Sequence, residues 1–218
     1  MNTITDLEPL GLPGILRARL DPSQSVLDQA IPWNRETWTE RFTQELRANE
    51  ERRRYVEAIE RLATRCAKRV SRSAVIGFMK EDTIDGFLAA MIWGFGTTGY
   101  GPYRTAQIIA GAGDLKTLTA KLNGIRAASL MGHNEARRAM VGDCKLTGLG
   151  PAFGTKVAYF AARTVDPLPD RPIPLIADFF TSRAFWHLTG NVGSVGTADG
   201  YDRYVHTLHT WSRTSDIA

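Results

Sequence analysis

Cysteine is almost missing from this chain of 218 residues; Cys66 and Cys144 are the only two. Two distant thiols make no disulfide framework and no four-cysteine iron–sulfur cluster, and they match no metal-ligand spacing, so a reduced, cytosolic setting is expected. No apolar run is long enough to cross a bilayer. The start, MNTITDLEPLGLPG, lacks the basic residues and apolar stretch of a secretory leader. Alternation of apolar and polar residues is absent too, so no strand is predicted, and neither repeats nor low-complexity tracts occur.

What is present is a chain that is 43% hydrophobic and 23% charged. That composition suits a globular protein with one real core, or two small lobes sharing a cleft. Net charge is +4. Residues 1–70 are balanced, with 12 basic against 11 acidic side chains, whereas residues 103–163 carry 9 basic against 3 acidic. Such a local surplus attracts phosphates and releases their counterions, although a merely soluble basic face has the same composition. Arg52, Arg53 and Arg54 sit among acids and read as a solvated helix face.

Helical periodicity covers most of the chain. Residues 34–47 repeat Trp38, Phe42 and Leu46 every four positions, and residues 49–69 place Tyr55, Ile59 and Leu62 on one side. Residues 82–95 are apolar all round, as a central buried helix would be. Helices are further expected over 102–109, 114–122, 134–141, 156–164, 175–188 and 199–211. The stretch up to Ile31, with Pro9, Pro13, Pro22 and Pro32, is expected to wrap the surface. Residues 1–80 are thus an extended segment plus helices, and 81–218 the core, together one compact unit.

The sequence LTGLGPAFGTKVAYFAA, residues 146–162, concentrates three glycines and a proline directly before a helix. A short helix, a glycine turn and a second helix would form a helix-hairpin-helix. Its unpaired N–H groups could hold one DNA phosphate without reading bases, with room for a monovalent cation on the hairpin backbone. An ordinary helix corner would also use glycine. Lys156 is the less ordinary feature: it is expected on the first turn, where a cation is disfavoured and a nucleophilic amine is favoured. Asp178, 22 positions on, follows an apolar run and precedes a helical stretch. It reads as an N-cap, and a cap held by backbone N–H groups is also a well-oriented carboxylate.

These residues resemble the helix-hairpin-helix DNA glycosylases, in particular the 8-oxoguanine branch. Gly154, Lys156 and Ala158 match a hairpin ending G-x-K-x-A, and PIPLIAD matches the segment that ends in the catalytic aspartate. A compact bacterial group similar to these enzymes shares GLGPAFxTK and the WGFGTTGYGP loop, Trp93 to Pro102 here. The resemblance runs from about Asp82 to Trp211. The usual L-P-G-V-G core fits two registers, at residues 146–150 or at 150–154.

The resemblance implies an all-α fold of two helical lobes around a cleft. It implies a base-excising enzyme, with Lys156 as nucleophile and Asp178 as its partner, that flips a damaged or modified base out of duplex DNA and then nicks the strand as a lyase. Gly148, Gly150, Phe153, Gly154, Thr155 and Arg104 would contact DNA, and Tyr100, at the loop tip, would fill the gap left by the base. No cofactor and no metal are called for, and a monomer near the bacterial nucleoid is expected. The substrate is an oxidised purine such as 8-oxoguanine or another modified base, the latter in antiphage defence. The alternative is a non-catalytic DNA-binding module on the same hairpin, or a helical interaction scaffold. Trp33, Trp38, Trp211, Tyr159 and Phe160 read as core, and Asp202, His206 and His209 as a surface helix rather than metal ligands.

Overall fold

The computed structural model describes residues 11, 13–17, 25–166, 168, 171–190 and 195–214. Pro9 and Pro22 of the expected surface wrap lie outside these. Among the described residues there are eleven α-helices and one two-stranded ribbon, so the protein is all-α. The helices are α1 (Gly14–Arg17), α2 (Arg35–Glu45), α3 (Arg52–Cys66), α4 (Arg72–Glu81), α5 (Thr83–Phe95), α6 (Tyr100–Ala112), α7 (Leu115–Met131), α8 (His133–Val141), α9 (Pro151–Ala162), α10 (Phe179–Thr189) and α11 (Ala198–Thr214).

The ribbon corrects the expectation of no strands. β1 (Ala30–Pro32) pairs antiparallel with β2 (Arg69–Ser71), and three residues are too few to show an alternating pattern. Helix α4 is a second addition. It buries Val75, Ile76, Phe78 and Met79, and it crosses α5 so closely that a Cβ at Gly86 would stand 2.4 Å from Met79 Cα. Arg54 is a third. It binds Asp82 at 2.6 Å and Asp85 at 2.7 Å, so it is a structural ligand and not part of a solvated face.

Helix α5 is the axis of the core. Eleven of its thirteen residues are buried, from Thr83 to Trp93, with α3, α4, α6, α7 and α9 around it. One large apolar cluster takes in Trp33, Trp38, Phe42, Tyr55 and Ile59 together with α5 and the buried face of α9. A smaller cluster joins Phe185 of α10 to Tyr201, Tyr204, Val205 and Trp211 of α11. The segment before α10 runs between the two: Ile176 belongs to the large cluster and Ala177 to the small one.

Candidate active site

Helix α9 begins at Pro151, five residues earlier than expected, with Gly150 as its N-cap. A proline at the first position loses no hydrogen bond there. The positive-φ residue of the preceding turn is Gly148, at +89°, and Leu149 N–H closes back on the Leu146 carbonyl at 3.0 Å. The turn therefore uses the register of residues 146–150, and 151–154 form the first helical turn. Lys156 moves with this correction: it lies on the second turn, where the field of the helix end has largely faded.

Partners, then, and not the helix end set the environment of Lys156. The side chain is 6% exposed, and its Nζ donates to Asp178 Oδ2 at 2.8 Å. It also faces the Ala152 carbonyl at 3.4 Å and lies 5.1 Å from the centre of the Phe153 ring. Gly94 of α5 makes room for the stem, since a Cβ there would stand 2.5 Å from Phe153 and 3.2 Å from Lys156 Cδ. A helix-interior glycine costs about 0.5–1 kcal/mol relative to alanine. Here close approach requires it.

Asp178 is the N-cap of α10, as its position in the sequence predicts. Its Oδ1 accepts from Thr181 N–H at 3.1 Å, and the Thr181 hydroxyl accepts from Asp178 N–H at 2.9 Å, closing a capping box. The other oxygen, Oδ2, is left to the lysine. Burial pushes the Asp178 carboxyl up, but the bond from Lys156, the Thr181 N–H and the lysine charge outweigh it and hold it below the usual carboxylate range.

The approach to Asp178 is held from three sides. Thr155 Oγ1 accepts from Ala177 N–H at 3.0 Å. The Tyr204 hydroxyl donates to the Ile176 carbonyl at 2.7 Å, and burial pushes that phenol up to about 12, which keeps its proton in place. Tyr201 bridges both backbone groups of Leu175, at 3.1 and 2.9 Å. Twenty-two residues of separation thus become one fixed contact.

The other expected site residues divide by exposure. Gly148 stands beside Arg104, whose Cζ would be 3.8 Å from an added Cβ, so turn and cation adjoin. Gly150 is open to solvent. Gly154 and Thr155 are buried, the first against Met140 and the second against the Asp178 segment. Phe153 stacks on Phe95 with ring centres 4.0 Å apart. Tyr100 opens α6, is 55% exposed, and meets Phe95 edge-on at 6.2 Å. A line of rings therefore leads from beneath Lys156 through Phe153 and Phe95 to Tyr100. Trp33, Trp38 and Trp211 are buried in the apolar clusters.

Two residues next to Asp178 were missed in the sequence. Phe179 and Phe180 are 67% and 79% exposed on the first turn of α10. Their only signal is two phenylalanines directly after a capping acid, where a helix start faces water.

A lysine paired with a carboxylate is an arrangement that can supply a nucleophilic amine. The model of the family described as "Putative 8-oxoguanine DNA glycosylase OGG-like protein" matches residues 24–218. The chain belongs to this family. The match includes α2 to α4, which the motifs beginning near Asp82 left out. No curated protein and no solved structure matches the chain. No described helix is long and apolar enough to cross a membrane.

Proposed function

We propose that the protein is a DNA glycosylase that removes a modified base flipped from duplex DNA, with Lys156 as nucleophile and Asp178 as the group that takes its proton. The 2.8 Å contact between Lys156 Nζ and Asp178 Oδ2 carries this reading. The family's description makes 8-oxoguanine the first substrate to test.

A duplex hides the bond to be broken, so the nucleotide must leave the stack. Residues 146–150 and α9 form the second half of a helix-hairpin-helix that begins with α8; the N–H groups around Gly148 and Gly150, with Arg104 beside them, seat a backbone phosphate. Tyr100 fills the gap left by the base. The proton of the Lys156 ammonium passes to Asp178. The freed lone pair attacks C1′, and the glycosidic bond breaks with its electrons going to the base, which takes a proton from the nitrogen newly bound to C1′. Opening of C1′–O4′ then gives a protonated imine, and O4′ takes the proton held by Asp178. Loss of a C2′ proton then expels the 3′ phosphate, and hydrolysis of the imine returns the lysine. Asp178, again ionised, stabilises positive charge on the sugar.

Borohydride trapping tests the reading. Duplexes carrying 8-oxoguanine, an abasic site, a modified phage base or no lesion are mixed with the protein and reductant. A covalent adduct on a lesion duplex that vanishes with Lys156→Gln, and falls by about 10²-fold or more with Asp178→Asn, is the expected result. DNA binding without any adduct on any duplex would reduce the protein to a binding module.

A further inference from the structure

Away from the lysine–aspartate pair, His133, Asp202 and His206 converge where α8 meets α11. One ligand atom from each lies within 4.8 Å of the others. His133 Nε2 is 2.7 Å from Asp202 Oδ1, and His206 Nε2 is 3.4 Å from the same oxygen. Asn134 Nδ2 donates to it at 2.9 Å. On the far side of the His133 ring, Nδ1 faces the Pro172 carbonyl at 3.3 Å.

Both ring nitrogens of His133 face oxygens that only accept, a carboxylate at 2.7 Å and a carbonyl at 3.3 Å. A neutral ring carries one hydrogen and can serve only one of them. A metal ion in place of the Nε2 hydrogen would leave Nδ1–H for the Pro172 carbonyl and so satisfy both. A proton alone would satisfy His133 and Asp202, yet the site also brings a third donor atom from His206, one turn along α11. The ring of His133 is fixed by a backbone carbonyl and the carboxylate by an amide, as in the outer shell of a metal centre. Two imidazoles and one carboxylate, with an open side for water, suit a borderline divalent ion.

We propose that His133, Asp202 and His206 bind one divalent transition-metal ion, zinc(II) foremost, which replaces the proton shared by His133 and Asp202. Tetrahedral zinc with bonds of about 2.0–2.1 Å sets its ligand atoms roughly 3.3 Å apart. The His206–Asp202 separation of 3.4 Å already has that value, while the His133–Asp202 separation of 2.7 Å must open. Asp202 is 37% exposed and His206 56%, so side-chain rotation on α11 can supply the difference. The ion would tie α11 to α8. Because α11 supplies Tyr201 and Tyr204, which grip Leu175 and Ile176, the tie steadies the segment that ends in Asp178. The ion touches no reacting atom in this scheme, and the proposal stands apart from the glycosylase reading.

The test uses the full, tag-free chain stripped with a chelator and titrated with zinc against a chromophoric competitor, with metal content measured after gel filtration. One zinc per chain is expected, with a rise in Tm of about 5 °C or more at a hundredfold excess over Kd. His206→Ala, at an exposed position that leaves the fold intact, should weaken binding at least tenfold, as should Asp202→Asn. Lys156→Gln should bind like the parent. Zinc that fails to bind at one per chain would overturn the proposal. So would an affinity unchanged in both ligand variants, or one lost equally in the exposed control His187→Ala.

Discussion

Two aspartates in this protein, one buried and one half-buried, meet cations in opposite ways. Asp85, on the first turn of α5, is 8% exposed at the side chain and takes Arg61 at 2.7 and 2.9 Å and Arg54 at 2.7 Å. Asp178 is 25% exposed and takes one lysine. Burial pushes both carboxyls up, and in both the cation bonds outweigh it, so each lies below the usual range. The cations separate them. A guanidinium does not release its proton in a protein and fills a carboxylate with forked bonds, so the Asp85 cluster can only hold helices together. An ammonium can hand its proton to the carboxylate and become a nucleophile. Pairing and burial alone therefore do not mark a reactive site; the identity of the base does.

Exchanging the two kinds of damage gives the largest effects. Lys156→Gln should abolish borohydride trapping, a loss of at least about 10³-fold, while unfolding free energy changes by only about 1 kcal/mol, because Thr181 still caps Asp178. Asp85→Ala should do the reverse. Leaving two arginines without their shared acid costs about 3–5 kcal/mol, read by urea titration, while the protein that remains folded still traps DNA. If Lys156→Gln proves as destabilising as Asp85→Ala, the lysine is a structural strut and the contrast collapses.

The helix starts were legible in residue types. Asn34, Asp82, Asp114 and Asp178 stand before apolar-periodic runs, and each caps its helix. The pairing of Lys156 with Asp178 was legible only through resemblance, because spacing along the chain does not reveal that Tyr201, Tyr204 and Thr155 pull the connector back onto α9. Arg54 was misread for the same reason, as its partners Asp82 and Asp85 lie on another helix. His133 lies 69 positions from Asp202, and no local pattern announces that contact. The start of α9 was misplaced because the glycines in GPAFGT suggested a longer turn. Pro151 at the first helical position and burial of Gly154 against Met140 decide otherwise.

A smaller effect is expected at the surface beside Asp178. Phe179 and Phe180 expose large rings that gain nothing from water, and aromatic stacking on a base contributes about 1–3 kcal/mol. Phe179→Ala and Phe180→Ala should leave Tm nearly unchanged. At least one should slow adduct formation on a lesion duplex by about tenfold, and affect an abasic duplex, which has no base to stack, much less. Equal slowing on both duplexes would show that the rings act on the lysine and not on the base.

The smallest difference lies in acid. Both aspartates have lowered folded values, so each adds stability that is fully present above the unfolded value of about 3.9 and is lost as pH falls through the folded one. Tm should therefore drop as pH falls below about 4. Asp85→Asn should flatten that slope more than Asp178→Asn, since Asp178 is partly exposed and solvent screens its pairing with Lys156. The measurement is Tm at half-unit steps between pH 5 and pH 2 for parent and both variants. A slope left intact by Asp178→Asn would mean that Lys156 does not hold that carboxylate ionised in the free protein. The pair would then form only when DNA is bound, and proton transfer would have to follow binding.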